Sequence, residues 1–183
     1  MGKFNSSLIY FLLLLMCGSQ LTQASDTEIS ALINDDSGCE IRLPSTLEFT
    51  PQRVSAFQGA TTTHEIKSLR AQLFCVDKFV ELTPKLTLEG NTPYSVNSIF
   101  LDGTPNSTGF MLRVSDGTPL SLGDFYQPDK AIKRGVQIPL TPLNAENHYL
   151  VEEVFWVGLV GPVETNVLPG KFSAALTFNL VFQ

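Results

Sequence analysis

The end of the chain alternates between apolar and polar side chains almost without interruption. One set consists of Phe172, Ala174, Leu176, Phe178, Leu180 and Phe182, and the other of Lys171, Ser173, Ala175, Thr177, Asn179 and Val181. Successive side chains of a β-strand point to opposite faces, whereas those of a helix repeat about every 3.6 residues. The alternation therefore predicts a long strand over residues 171–182, with one face buried in a sheet.

Short apolar runs separated by Gly, Pro, Asn and Asp fill the chain before this strand. Such spacing favours an all-β sandwich or barrel. The 11 prolines leave little room for a long helix, and Asp102-Gly103 and Asp116-Gly117 predict tight turns. The predicted strands cover residues 29–34, 39–43, 47–50, 64–76, 80–88, 96–101, 109–115, 136–140, 149–160 and 171–182.

The first 24 residues have the layout of a secretory signal. Lys3 is followed by an apolar run from Leu8 to Met16, which is short of the roughly 20 residues that cross a bilayer. Thr22-Gln23-Ala24 then offers small residues at the positions that a signal peptidase reads. We predict cleavage after Ala24, export, and a mature chain of residues 25–183 that forms one domain without a membrane span.

Two of the three cysteines, Cys39 and Cys75, lie in the predicted mature chain. In an oxidising compartment an even pair favours a disulfide. Closing a loop of this length would stabilise the folded protein by about 4 kcal/mol in the chain-entropy model. A metal site is the rival interpretation. It lacks ligands, because the sequence has no CxxC motif and only His64 and His148 as histidines. We predict no metal site and no cofactor.

The charge and aromatic content limit the kind of partner. The net charge is −6, and no basic cluster is richer than residues 130–134, which contain three Lys or Arg. Nucleic-acid binding needs a concentrated basic face, so we predict no nucleic-acid partner. The 13 phenylalanines indicate a substantial core or an apolar surface that a partner covers.

Three features along the chain are similar to motifs of one protein family. Gly170 stands fourteen residues from the end, and Phe182 is a penultimate aromatic where that family commonly has Tyr. Residues 107–123 resemble a hairpin motif of the family, and Cys39 and Cys75 match the disulfide between its first and third strands. The mature chain thus resembles the chaperone–usher fimbrial subunits (pilins) of Gram-negative bacteria, of the type 1-like kind, and among them a minor subunit.

The resemblance implies an immunoglobulin-like sandwich that lacks its last strand and is completed by donor-strand exchange. An open sheet edge invites pairing with another chain, and donor-strand complementation is a known form of β-strand addition. The implied partners are a periplasmic fimbrial chaperone, an outer-membrane usher and other fimbrial subunits. The implied route leads through the periplasm to a surface fimbrium that contributes to cell adhesion. The resemblance assigns the chaperone and donor-strand groove to Gly170, Phe172, Ala174, Leu176, Phe178, Leu180 and Phe182.

The predicted N-terminal extension, residues 25–31, is short and mostly polar. Its alternating apolar residues, continued into the first strand, are Ile29, Ala31 and Ile33, which we take as a possible donor strand. Because a donating extension normally carries more apolar residues, we hypothesise that the chain is a poor strand donor. Such a subunit belongs at a fibre tip or in another specialised position.

Catalysis is not predicted. Nucleophilic catalysis needs a Ser or Cys beside a histidine that a carboxylate orients, and neither His64 nor His148 lies in such a signature. The acidic pairs Asp35-Asp36 and Glu152-Glu153 are adjacent residues, which a strand directs to opposite faces. We predict no catalytic residue.

The main alternative is a self-complete secreted module of the lectin-like or adhesive kind. Tyr149, Phe155 and Trp156 are the aromatics that could stack on sugars. Their position in a predicted strand buried on both faces favours a packing role instead. The two functions differ in strand completeness, since a self-sufficient module carries all of its strands and a fibre subunit needs one from a donor.

Overall fold

The computed structural model describes residues 23–33, 38–164 and 167–182, and for residues 23–25 and 31–33 it describes the backbone alone. The described residues form nine strands, one short α-helix and two 3₁₀ turns, at Val54–Ala56 and Pro128–Lys130. The strands are β1 (Gln23–Ile33), β2 (Cys39–Arg42), β3 (Thr46–Gln52), β4 (Thr62–Cys75), β5 (Pro84–Glu89), β6 (Gly109–Val114), β7 (Gln137–Pro139), β8 (Leu150–Gly161) and β9 (Phe172–Phe182). The predicted all-β class is confirmed.

The strands form two sheets. The first sheet has the order β3-β1-β9-β5-β7, and the second has the order β2-β4-β8-β6. The chain crosses from the second sheet to the first between β2 and β3, at residues 43–45. Pro44 lies in this crossing, outside the strands, where its lack of an N–H removes no ladder hydrogen bond.

The core lies between the two sheets and is rich in phenylalanine. Phe110 of β6 contacts Phe172 of β9 with ring centroids 5.7 Å apart, and Phe155 of β8 meets Phe178 of β9 edge-on at 5.4 Å. Aromatic pairs at such distances contribute about 0.5–1.5 kcal/mol beyond the area that they bury. The inner face of β9 therefore packs against the two neighbouring strands β6 and β8 of the second sheet.

A disulfide links Cys39 to Cys75, with Cα atoms 4.0 Å apart. The two residues are register partners in the antiparallel β2–β4 ladder. The bond therefore staples the short edge strand β2 to its longer neighbour, next to the point where the chain leaves the second sheet.

A four-residue helix, α1 (Leu122–Phe125), covers part of the second sheet. It begins after Ser121, whose hydroxyl oxygen accepts a hydrogen bond from the backbone N–H of Asp124 at 3.2 Å. The helix presses the fully buried Phe125 ring against Gly158 of β8. A Cβ atom at Gly158 would lie 2.2 Å from Phe125 Cε1, so this approach requires glycine.

The predicted strand over residues 96–101 is wrong. This segment is a loop in which only Phe100 forms a bridge, to Phe110 of β6. Ile99, Phe100 and Leu101 are fully buried, since the loop packs its apolar run against the core. A buried run shows the same sequence pattern in a strand and in a loop that closes the end of a sandwich.

The predicted and observed boundaries differ most for β1 and β5, two interior strands of the first sheet. The strand predicted at 29–34 begins at Gln23, and the one predicted at 80–88 begins at Pro84. The predicted signal peptide lies outside the described residues except for positions 23 and 24, as do Asp35 and Asp36. Within the described part of the chain, no helix is long and apolar enough to cross a membrane.

Candidate functional site

The N-terminal strand β1 lies inside the first sheet, between β3 and β9. It runs parallel to β9, where its register partners extend from Ser25↔Phe172 to Ile33↔Leu180. On its other side it runs antiparallel to β3, from Gln23↔Gln52 to Glu28↔Thr46. We call the space that β1 occupies between these two strands the β3–β9 groove. The chain thus fills this position with its own first strand.

The side chains of β1 alternate between the core and the surface. Thr27 and Ile29 are buried, at 0% and 5% exposure, whereas Glu28 and Ser30 are exposed. Of the residues that we took as a possible donor strand, Ile29 therefore enters the core. The backbones of Ala31 and Ile33 pair with Phe178 and Leu180 of β9, and their side chains lie outside the described part.

The inner face of β9 forms the floor and one wall of the β3–β9 groove. All six alternating residues are buried, with exposures of 8% or less. They are Phe172, Ala174, Leu176, Phe178, Leu180 and Phe182. Ala174 is the only small side chain among them. The structure therefore brings these predicted residues together on one face, directly beside β1.

Gly170 comes just before β9 and has a φ of +153°. L-amino acids with a side chain rarely adopt this backbone conformation, whereas glycine adopts it at little cost. A Cβ atom at this position would meet no other atom within 4 Å. The glycine is therefore suited to the direction in which the chain enters β9.

Among the described side chains of β1, residues 26–30, few polar contacts hold the strand in place besides its backbone ladders. Lys171 Nζ lies 3.2 Å from Asp26 Oδ2 at the start of the strand. The Ser30 hydroxyl donates to the carbonyl of Leu176 at 3.3 Å and lies 3.1 Å from Thr177 Oγ1. An open cleft of about 580 Å³ lies beside this half of β1; it is lined by Asp26, Glu28, Ile29, Ser45, Thr46, Lys171 and Ser173.

Two neighbouring polar atoms of β1 are buried without a hydrogen-bond partner, Asp26 Oδ1 and Thr27 Oγ1. Leaving a buried polar group unsatisfied costs about 1–3 kcal/mol. Thr27 faces the core, so its unsatisfied hydroxyl makes the N-terminal half of β1 an imperfect occupant of the apolar groove, whereas Asp26 lies on the outer face of the strand and is only partly buried. This half could not be recognised as a strand from the sequence because residues 23–28 are mostly polar, although Thr27 continues the alternation of Ile29 and Ala31.

The outer wall of the groove, β3, is held from the second sheet as well as by β1. The Glu65 carboxylate of β4 accepts hydrogen bonds from the backbone N–H of Thr50 at 2.8 Å and from its hydroxyl at 3.1 Å. Lys67 Nζ lies 3.3 Å from the same carboxylate and 5.7 Å from the ring centroid of Phe49. These contacts do not involve β1, so they support β3 independently of it. No sequence pattern indicated this role for Glu65.

The other candidate residues are separate from one another. The ring of His64 packs against Phe57, and its Nε2 lies 3.0 Å from the carbonyl oxygen of Gly161, whereas His148 is exposed in a loop. Glu153 is 8% exposed and accepts a hydrogen bond from the Thr141 N–H at 2.6 Å. Within residues 38–164 and the rest of the described chain, no group of three His, Cys, Asp or Glu could hold a metal ion.

The aromatic residues of the lectin-like alternative do not share a surface. Phe155 is fully buried in the core. Trp156, its neighbour in β8, points to the opposite face, where it is half-buried. Tyr149 precedes the strand with a positive φ of 54°. These three rings therefore do not form one stacking platform.

The fold is similar to that of a pilus subunit of known structure. The crystal structure of the P pilus rod subunit PapA matches with a TM-score of 0.56 and 16% sequence identity, over 80% of this chain and 99% of that one. No protein-family model matches the sequence, and no curated protein matches it significantly. At this identity the likeness shows the fold alone, and that fold is the one found in the P pilus rod subunit.

Proposed function

We propose that the chain is a structural subunit of a chaperone–usher fimbria, exported through the periplasm and joined to its neighbours by donor-strand complementation. The observation that carries the proposal is the position of β1. It is a single N-terminal strand that fills the β3–β9 groove between two strands with which it shares no hairpin.

The sandwich without β1 has the properties of a strand acceptor. The facing edges of β3 and β9 then present unpaired N–H and C=O groups, and the inner face of β9 loses part of its cover. Such an edge is a template for a further strand. Backbone hydrogen bonds supply the affinity, and the buried row from Phe172 to Phe182 accepts alternate side chains. A periplasmic chaperone and a neighbouring subunit are the partners that supply such strands in this proposal.

The placement of residues 25–31 in β1 also fits a specialised subunit. A chain whose N-terminal segment lies in its own groove gives no strand while that segment stays there. It accepts one only after the segment leaves. This supports the hypothesis of a poor strand donor at a fibre tip or in another minor position that contributes to adhesion.

The test is export of the chain with and without a fimbrial chaperone, followed by co-purification. We expect a one-to-one complex with the chaperone. Ala174 and Ala175 provide a matched pair, because they are adjacent in β9 but buried and exposed respectively. We expect Ala175→Gln to leave the complex intact and Ala174→Gln to abolish it, with the Cys39–Cys75 disulfide as a check of folding in both.

The second candidate is the self-complete binding module. It is supported by the same strand, because β1 belongs to the chain itself and completes the first sheet. A chain that stays monomeric, binds no chaperone and enters no fibre with other subunits would favour this module and contradict the fimbrial proposal.

A further inference from the structure

We propose that β1 is a temporary occupant of the β3–β9 groove, and that the strand which replaces it carries valine or isoleucine where β1 carries Thr27. The inference rests on the proposed function, which requires that the groove accept a strand. It goes further by identifying the strand that must leave first and the side chain that its successor places over Ala174.

Thr27 is the poorly matched residue of β1. Its side chain is fully buried, and its register partners are Ala174 on β9 and Leu47 on β3. Both partners are apolar, and the Thr27 hydroxyl has no hydrogen-bond partner. The hydroxyl loses its bonds to water when β1 enters the groove and gains none in return, which weakens the inserted state.

The neighbouring Asp26 adds to this weakness. One of its carboxylate oxygens binds Lys171, and the other is buried without a partner. Five buried side-chain atoms without a partner occur in the described chain, and two of them lie on these adjacent residues of β1. Because each such atom opposes insertion, the N-terminal half of β1 is the part that leaves most readily.

The groove itself favours an apolar side chain at this position. Ala174 is a small residue in a row of Phe and Leu, so it leaves room for the neighbouring strand to fill. Valine has nearly the size and shape of threonine and lacks the hydroxyl, and isoleucine adds one methylene group. A strand with either residue fills the same space without burying an unsatisfied oxygen.

The weak fit gives β1 a role in assembly. While it is inserted, it covers the edges of β3 and β9, which would otherwise pair with other chains at random. Because the inserted β1 leaves Asp26 Oδ1 and Thr27 Oγ1 without hydrogen-bond partners, a better-matched strand displaces it without an external source of energy. The contacts of Glu65 with Thr50 keep β3 in position during the exchange.

The first experiment locks β1 in the groove of the full exported chain. Ser30 and Thr177 are register partners with hydroxyl oxygens 3.1 Å apart. We expect Ser30→Cys together with Thr177→Cys to form a disulfide between β1 and β9. Ser30→Cys alone is the control without a lock. The probe is a labelled synthetic peptide with the sequence of residues 23–33, compared with the same peptide carrying Thr27→Val.

We expect the unlocked chain to incorporate the peptide with Thr27→Val about tenfold faster than the peptide with threonine, as the removal of one unsatisfied hydroxyl predicts. The same substitution in the chain strengthens its own β1, so we expect Thr27→Val to slow peptide uptake by about tenfold. The locked chain should incorporate neither peptide.

The outcomes separate the inference from the proposed function. Equal uptake by the locked chain, the unlocked chain and the Thr27→Val chain overturns the inference, since β1 would not gate the groove, and it leaves strand acceptance intact. A chaperone complex without peptide uptake in any variant also overturns the inference. Absence of both uptake and a chaperone complex contradicts the proposed function itself.

Discussion

Asp102 pairs with the first half of β9 in the manner of a neighbouring strand. Its carboxylate accepts a hydrogen bond from the backbone N–H of Ala175 at 2.7 Å, and its own backbone N–H donates to the carbonyl of Ser173 at 2.8 Å. The neighbouring strand β5 pairs with β9 only from Thr177 onward. A turn residue therefore satisfies the edge of β9 over the stretch that faces the weak half of β1.

Removal of this carboxylate should loosen the start of β9. We expect Asp102→Ala to lower the free energy of unfolding by about 1 kcal/mol and Asp102→Asn by less, because the amide oxygen still accepts a hydrogen bond. Denaturant unfolding measures the first effect, and hydrogen exchange at the Ala175 N–H locates it. Asp129→Ala, at an exposed position of the 3₁₀ turn Pro128–Lys130, serves as the control. Unchanged exchange at Ala175 in Asp102→Ala would contradict this role.

The close approach of Phe125 to Gly158 predicts a severe packing defect on substitution. We expect Gly158→Ala to destabilise the protein by about 1–3 kcal/mol, because the added methyl group overlaps the Phe125 ring. Thermal and denaturant unfolding provide the measurement. Gly123→Ala is the matched control, since the nearest atom to a Cβ there is 3.9 Å away.

A double variant identifies the cause of that defect. Phe125→Leu shrinks the ring that a methyl group at Gly158 would strike. We expect the two substitutions together to cost less than the sum of their separate effects, because residues in direct contact are not additive. Strictly additive losses of stability would mean that the added methyl group clashes with a residue other than Phe125.

The contacts of Glu65 with Thr50 should matter more than an exposed ion pair. We expect Glu65→Ala to lower the free energy of unfolding by about 2 kcal/mol, since hydrogen bonds to a charged group contribute more than neutral ones. The control is Glu40→Ala. Glu40 pairs with Arg42, both side chains are more than half exposed, and the expected loss is below about 0.5 kcal/mol. Similar losses for the two variants would show that Glu65 does not brace β3.

We expect the buried hydroxyl of Tyr94 to make the protein less stable at high pH. Its hydroxyl is buried and donates a hydrogen bond to the carbonyl of Thr108 at 2.7 Å. Burial raises the pKa of Tyr94 above its ordinary value of 10.0. Below that value the phenol is protonated in both the folded and the unfolded chain. As the pH rises from 10.0 through the raised pKa, the unfolded chain loses the proton first, so stability falls.

The measurement is the urea midpoint of the protein and of Tyr94→Phe between about pH 8 and pH 11. We expect the variant to be less stable by about 1 kcal/mol near neutral pH because it lacks the hydrogen bond. We also expect it to lose less stability than the parent protein as the pH rises above 10.0. Parallel curves for the two proteins would exclude Tyr94 as the source of the pH dependence.

The local sequence pattern was sufficient to predict a strand where apolar residues repeat on one face. The inward row from Phe172 to Phe182 could be read from the sequence because an alternating strand with a polar outer face has no other stable arrangement. The pair Cys39 and Cys75 was equally readable, since these were the only cysteines beyond the predicted signal. Local pattern failed for residues 96–101, where burial gives an apolar run in a loop and in a strand alike.

The sequence by itself determined the all-β class and the strand β9, because side-chain alternation is a local property of a strand. Only the tertiary structure decided where residues 23–33 lie, because that depends on pairing with β3 and β9, and β9 is far away along the chain. Most side chains of β1 are polar, so its place is set by the two backbone ladders and by Ile29. The burial of the Thr27 hydroxyl is a consequence of that placement, and no local pattern could have shown it.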